Sequence, residues 1–412
     1  MKKRVVVTGI GVVSPIGIGA EIFWKSLVSG VSGVDRLSQF DAKDSPCKLA
    51  AEIKNYDPGR YFTSETVRMN PRYAQFGLLA SREAIKNSRI NEDNCDKESI
   101  GIALGTSAAG LTFSLEQYGA FLKNGANGMD TFLTSIMNNG VGARAISLEN
   151  KFKGMANTFT STCVASTDAI GYSFNLIRDG KIKIMITGGA ESCLCPATVS
   201  GFYLSRILSK KDGIKEKTPC PFDLNRDGTV LGEGAAILVL EEYQHAKKRK
   251  AFIWGEVIGF GTTSDAYHFV KPDPSGEQSA RAVSQALYDA GIDKKNVGYI
   301  NAHGTGTKQN DWAETTTIKN VFGKQAYKIP VSATKPSTGH FLGSAGALEI
   351  MICVLALKNG IIPPTINYRV KDPKCDLDYV PNEARRANIK IALSNTFGFG
   401  GFNSVLVMKK YE

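Results

Sequence analysis

The chain has no run of about 18 or more apolar residues, so no membrane span is expected. Its start, Met1 to Arg4 followed by Val5-Val6-Val7, is a poor secretory signal. The apolar run is short and broken by Gly9, Gly11 and Pro15, which reads as a first strand. Cysteine is sparse and scattered: Cys47, Cys95, Cys163, Cys193, Cys195, Cys220, Cys353 and Cys375. That density excludes a disulfide scaffold, and no spacing matches a zinc site. Cys193-Leu194-Cys195 is the only close pair and lacks the two-residue gap of metal sites, so it reads as structural. The cell interior is the expected compartment. No Pro/Ser-rich linker divides the chain, which argues for one compact body. No nucleic-acid module accompanies the basic clusters Lys210-Lys211 and Lys247 to Lys250. The net charge of +11 is then either a solvated surface or a match for an acidic protein partner.

What is present is an ordinary globular composition, 42% hydrophobic and 22% charged over 412 residues. Valine- and isoleucine-rich runs predict strands at Arg4–Val13, Ile100–Leu104, Ile182–Gly189, Gly232–Leu240, Ile253–Gly259, Val297–Asn301, Ile329–Ser332 and Ile389–Asn395. Helical spacing marks Glu21–Val28, Val67–Asn87, Glu277–Gly291, Asp311–Phe322 and Leu342–Lys358. Strands alternate with helices, which predicts layered α/β with central, covered sheets. Each half carries strands, helices and a reactive loop. An internal duplication is expected, with halves 1–250 and 251–412, although no repeat is visible at residue level.

The stretch Thr160 to Gly171 organises the chemistry. A small polar turn presents Cys163, and Val164, Ala169, Ile170, Phe174 and Ile177 then recur at helical spacing until Asp179-Gly180. Cys163 therefore stands at a helix N-terminus, where unpaired N–H groups favour thiolate. A buried core cysteine is the plainer alternative. Of the four histidines, His245 reads as a surface residue of a charged helix, and His268 carries no clear signal. His303 (Asn301-Ala302-His303-Gly304-Thr305-Gly306-Thr307) and His340 (Lys335-Pro336-Ser337-Thr338-Gly339-His340) lie in glycine-flanked loops at element ends, where function concentrates. One cysteine and two such histidines form a nucleophile-and-imidazole set.

These three segments, with the Gly398-Phe399-Gly400-Gly401 loop, resemble in residues and order the motifs of the β-ketoacyl-acyl carrier protein synthases of the elongating type. The resemblance runs from Arg4-Val5-Val6-Val7-Thr8-Gly9 to Ser404-Val405-Leu406-Val407. It implies a duplicated thiolase-type fold, layered α/β/α/β/α, and a dimer. Gly306 to Asp311 and Gly400-Gly401-Phe402 resemble the ketosynthase α subunits of type II polyketide synthases. Housekeeping fatty-acid enzymes more often have threonine at the Phe402 position. Asn382-Glu383-Ala384-Arg385 resembles the fatty-acid enzymes, Cys375 to Pro381 fits either branch, and Ser161 to Ser166 departs from both.

The resemblance further implies site roles. Cys163 would carry the acyl chain, and the backbone N–H groups of Cys163 and Phe399 would form the oxyanion hole. Gly398 and Gly400 would let that backbone approach closely. His303 and His340 would stabilise the enolate left by loss of CO₂ from a malonyl thioester. Lys335 would order the site, with Glu349 in support. Ala108, where some fatty-acid synthases place a bulkier residue, would floor an acyl pocket together with Phe402. The scheme requires no metal or organic cofactor, since substrates arrive on the phosphopantetheine arm of an acidic carrier protein. Arg68, Arg72, Arg206 and Lys210 are candidate carrier contacts by charge. A polyketide α subunit would pair with a chain length factor; a fatty-acid synthase II would be a homodimer. A non-catalytic, chain-length-factor-like partner subunit would lack the nucleophile present here. A thiolase acting on coenzyme A esters would carry a second cysteine in the loop Thr396–Phe402, which has none.

Overall fold

The computed structural model describes residues 2–43, 45–91, 94–211 and 217–412. Among them one large mixed sheet contains eleven strands. Ten build the layers: β1 (Val5–Ser14), β2 (Ile100–Gly105), β3 (Ala156–Phe159), β4 (Ile184–Glu191), β5 (Gly234–Glu242), β6 (Gly255–Ser264), β7 (Tyr299–Asn301), β8 (Val331–Ser332), β9 (Ile391–Gly398) and β10 (Phe402–Lys409). The spatial order is β8-β7-β9-β10-β6-β1-β5-β4-β2-β3. Counted outward from the β6–β1 junction, each flank places its own strands first, fifth, fourth, second, third. The duplication unseen in the residues is therefore explicit in the topology. The flanks join through a short antiparallel pairing, Val5 to Val257 and Val7 to Gly255.

Six helices complete the layers: α1 (Arg72–Ser88), α2 (Val141–Asn150), α3 (Ala165–Arg178), α4 (Glu277–Ala290), α5 (Lys308–Phe322) and α6 (Ala345–Asn359). α1 and α2 cover the outer face of the first flank, and α4 and α5 that of the second. α3 and α6 lie between the flanks and share one apolar core with both. The strands read as continuous apolar runs because both of their faces are covered. Leu238 and Leu240 point to the central helices while Ile237 and Val239 point to the outer ones; on β10, Leu406 and Met408 alternate with Val405 and Val407 in the same way. α6 is buried continuously from Ala345 to Leu357. The segment Leu342–Asn359 is long and apolar enough to cross a membrane, yet 89% of it is buried inside the protein.

Sequence expectation and structure differ in several places. The pattern over Val67–Asn87 is two helices, Ser64–Met69 and α1, because Pro71 forces Asn70 into extended backbone (φ −128°, ψ 109°). The helices Leu111–Asn124 and Pro196–Leu204 were not expected, nor were α2, β3 and β10. The first has no buried residue and exposes Leu111, Leu115, Tyr118, Phe121 and Leu122, so no polar face marks it.

Candidate active site

The turn from β3 into α3 is short and pinned. Thr162 adopts φ 53°, Ser161 Oγ donates to Asp168 (2.5 Å), and Ser404 of β10 donates to the same carboxylate (2.8 Å). Cys163 follows, 5% exposed, two residues before α3 begins. Its Sγ lies 3.3 Å from His340 Nε2. The His303 and His340 rings meet edge to face, centroids 5.3 Å apart. The structure thus brings together the three residues that the sequence separates by 140 and 37 positions.

Each histidine is fixed from behind. The backbone N–H groups of His303 and Gly304 donate to Glu314 of α5 at 2.9 and 2.8 Å. Gly304 has φ 43°, and a Cβ there would come within 2.3 Å of Ala333 Cβ, so only glycine fits. Lys335, 2% exposed, points Nζ at His303 Nδ1 (3.3 Å), bonds the His303 carbonyl, and forms an ion pair with Glu349. His340 Nδ1 accepts the Leu342 backbone N–H at 3.2 Å. Both Nδ1 atoms are therefore acceptors, and in the neutral rings the proton resides on Nε2. Burial, with Lys335 nearby, holds both imidazoles well below their usual pKa, so neutral rings are what neutral pH provides.

Two N–H donors aimed into one pocket beside a sulfur are built to receive a developing oxyanion. The same assignment opposes metal binding. The three ligand-type atoms lie within 4.8 Å of one another, but both Nε2 lone pairs are used by protons, and the Lys335 cation stands behind them.

The expected thiolate is a correction. Burial pushes the Cys163 thiol up to about 12, against the opposing pull of Lys335 and the Phe399 backbone N–H. Desolvation is the largest influence on this thiol and favours its neutral form. The Phe399 N–H faces the sulfur. A Cβ on Gly398 would stand 2.5 Å from Thr162 Oγ1, so glycine permits this approach; Gly400 adopts φ 81°.

A cavity of about 840 Å3 reaches this cluster. Cys163, His303, His340, Phe397 and Phe399 line its inner part; Arg206, Lys210, His268, Lys271 and Lys308, all exposed, stand in its wall. Arg206 and Lys210 thus stand at the cavity. Arg72 does not offer a free charge: it pairs with the fully buried Glu233 at 2.6 Å and lies over the Tyr56 and Phe76 rings. Arg68 pairs with Asp130 (3.3 Å) and stands outside the cavity lining. Phe402 also stands outside it, 41% exposed at the start of β10, because the left-handed Gly400-Gly401 turn carries it past the pocket. Ala108 packs against the apolar cluster that contains Cys163, Cys193 and Leu342. His245 is half-buried against Glu241 and remote from the site; the exposed His268, which gave no signal, lines the cavity. The sequence did not reveal Glu314. A buried carboxylate that accepts backbone N–H groups leaves no pattern of spacing.

Comparison with known proteins agrees with this geometry. Residues 2–246 match the beta-ketoacyl synthase N-terminal domain, and residues 254–369 the beta-ketoacyl synthase C-terminal domain. The chain is 41% identical to a 3-oxoacyl-[acyl-carrier-protein] synthase 2 of Synechocystis sp., covering 100% of this chain and 99% of that one. It is 42% identical to the protein of that name from Coxiella burnetii, covering 99% of each. Among solved structures it superposes on a ketosynthase in complex with its type II polyketide synthase acyl-carrier protein (TM-score 0.93, 33% identity, 100% of both chains). It superposes equally on the ishigamide ketosynthase/chain length factor (TM-score 0.93, 35% identity, 100% of both). With the sulfur, the paired N–H donors and the duplicated five-layer fold in place, the chain belongs to the β-ketoacyl synthase family and is an acyl-transferring condensing enzyme.

Proposed function

We propose that the protein performs a decarboxylative Claisen condensation between an acyl chain held on Cys163 and a malonyl group held on a carrier protein. The observation that carries this reading is the pair of imidazoles, both fixed as Nε2–H donors beside the sulfur. Cys163 attacks an acyl thioester, and its proton leaves with the departing carrier thiol. The tetrahedral oxyanion is met by the N–H groups of Cys163 and Phe399. The malonyl thioester then loses CO₂, and the enolate oxygen is stabilised by the N–H groups of His303 and His340. The enolate carbon attacks the acyl carbonyl, a carbon–carbon bond forms, and Cys163 is released and reprotonated. Lys335 and Glu349 keep His303 in the donor tautomer. This chemistry uses the chain's own residues and a carrier-borne phosphopantetheine arm. Incubation with acyl- and malonyl-loaded carriers, read by mass spectrometry, tests it: a β-keto product two carbons longer is expected, and unchanged substrates would refute it.

The two halves, 1–250 and 251–412, share the work: the first supplies the nucleophile, the second both histidines. Two branch assignments follow. As a polyketide ketosynthase α subunit, which Gly306 to Asp311 and Phe402 favour, the chain would pair with a chain length factor. As a fatty-acid elongation synthase II, which Asn382 to Arg385 and the names of the 41–42% identical relatives favour, it would form a homodimer. Co-purification with a second, similar chain lacking the cysteine separates them. The intact cysteine and histidines weigh against a non-catalytic partner subunit.

Two results are expected here. Arg206→Glu with Lys210→Glu should raise KM for carrier-borne substrates by about tenfold, more at low salt, with kcat little changed. An unaltered KM would remove the carrier from this rim. Ala108→Phe should shorten the products, because the added ring would project into the cluster around Cys163, Cys193 and Leu342. An unchanged length distribution by mass spectrometry would count against that wall.

A further inference from the structure

Glu191, the last residue of β4, is fully buried and has no part in the steps above. Among the described residues it has no cationic partner. Its carboxylate instead gathers four donors from two loops. Oε2 accepts the backbone N–H groups of Ser107 (2.5 Å) and Gly343 (3.2 Å). Oε1 accepts the Ala108 N–H (3.3 Å) and the Thr106 hydroxyl (3.2 Å). The loops meet with no space between them: a Cβ on Gly343 would lie 2.3 Å from the Ser107 nitrogen. Burial raises this carboxyl to about 7 against the opposing pull of those four donors.

Each loop holds a different part of the site. Ala108 packs in the apolar cluster with Cys163, Cys193 and Leu342. Leu342 lines the cavity and adopts φ 46°, a left-handed conformation that a leucine holds only when its surroundings impose it. In that conformation its N–H meets His340 Nδ1 and leaves the ring's proton on Nε2. The next peptide N–H, Gly343, is the one anchored on Glu191. One carboxylate therefore braces both the wall beside the acyl-carrying sulfur and the turn that sets which nitrogen of His340 donates.

We propose that Glu191 is a positioning residue that locks the acyl-pocket loop at Ala108 to the Leu342 turn, and through that turn holds His340 as the N–H donor for the enolate. The inference rests on the functional reading of His340 given above. Glutamine at 191 would turn an amide NH₂ toward backbone N–H donors, so one loop would lose its acceptor.

The test separates the two half-reactions. For Glu191→Gln, loss of CO₂ from the malonyl-loaded carrier should fall about 10- to 100-fold, while acylation of Cys163 by the acyl-loaded carrier changes less than about threefold. A parallel fall in both steps, or no fall in either, overturns the proposal. Should Glu191→Gln lack a cooperative unfolding transition, Thr106→Val removes one donor at nearly constant volume. A smaller, decarboxylation-selective loss is then expected, and an equal loss in both steps overturns the proposal. Wild-type enzyme in the same assay keeps the two ideas apart. If it fails to decarboxylate, the functional reading falls. If it decarboxylates and Glu191→Gln matches it, only the role of Glu191 falls.

Discussion

Cys163→Ala is expected to abolish acyl transfer and condensation, by at least about 10⁴-fold, while leaving the fold intact. The size of the effect follows from the absence of a substitute. The other sulfurs in the same apolar cluster, Cys47 and Cys193, are both buried and absent from the cavity lining. The fold should tolerate the change because the resting thiol, held at about 12, is uncharged. Its loss strands no buried ion, and a single sulfur leaves a small void costing about 1 kcal/mol. Loss of CO₂ from a malonyl thioester should persist in the variant, since the His303 and His340 donors are held by Lys335 and Leu342 and not by the sulfur. Mass spectrometry of the protein after exposure to a labelled acyl thioester checks the first part: an acyl group retained on Cys163→Ala would refute the assignment of the nucleophile.

Lys335→Met should damage both activity and stability. Lys335 and Glu349 are each about 2% exposed and pair with each other. Removing one member of such a pair leaves the other buried without compensation, at a cost of about 3–5 kcal/mol. Burial already raises Glu349 to about 7 against the pull of Lys335, from an ordinary value of 4.5. A carboxyl whose folded pKa lies above its unfolded one stabilises the fold at low pH and loses that contribution as pH rises through the interval. Without the lysine the interval extends further upward. The deficit against wild type, read from thermal or denaturant unfolding, should therefore be larger at pH 8 than at pH 5. His303 Nδ1 also loses its donor, the ring is free to change tautomer, and decarboxylation should fall by about 10²-fold or more. The double variant Lys335→Met with Glu349→Gln discriminates: stability should recover while activity does not. Recovery of both would make Lys335 a purely structural residue.

What could be read from the residues was local. The helix behind Cys163 was visible because Val164, Ala169, Ile170, Phe174 and Ile177 are buried on one face, and its end because Asp179 caps it and Gly180 adopts φ 74°. The histidine loops were visible because glycines surround them. The break before α1 was missed: apolar spacing continues across Pro71, and the periodicity masks the proline. Two of the four cationic residues chosen by charge, Arg206 and Lys210, stand at the cavity. Arg72, chosen on the same grounds, is consumed by Glu233, and no feature of its neighbours in sequence distinguishes it. Phe402 follows a glycine pair whose left-handed turn sends it outward, a direction that residue order does not encode.

The amino-acid order by itself determined the alternation of strand and helix, the cysteine at a helix start and the two imidazole loops, because periodicity and glycine punctuation act over a few residues. Tertiary structure alone decided the burial of that cysteine, the hydrogen-bond partners of each imidazole and those of Glu191, Glu314 and Glu349. Those depend on burial and on atoms brought within hydrogen-bond reach from distant parts of the chain.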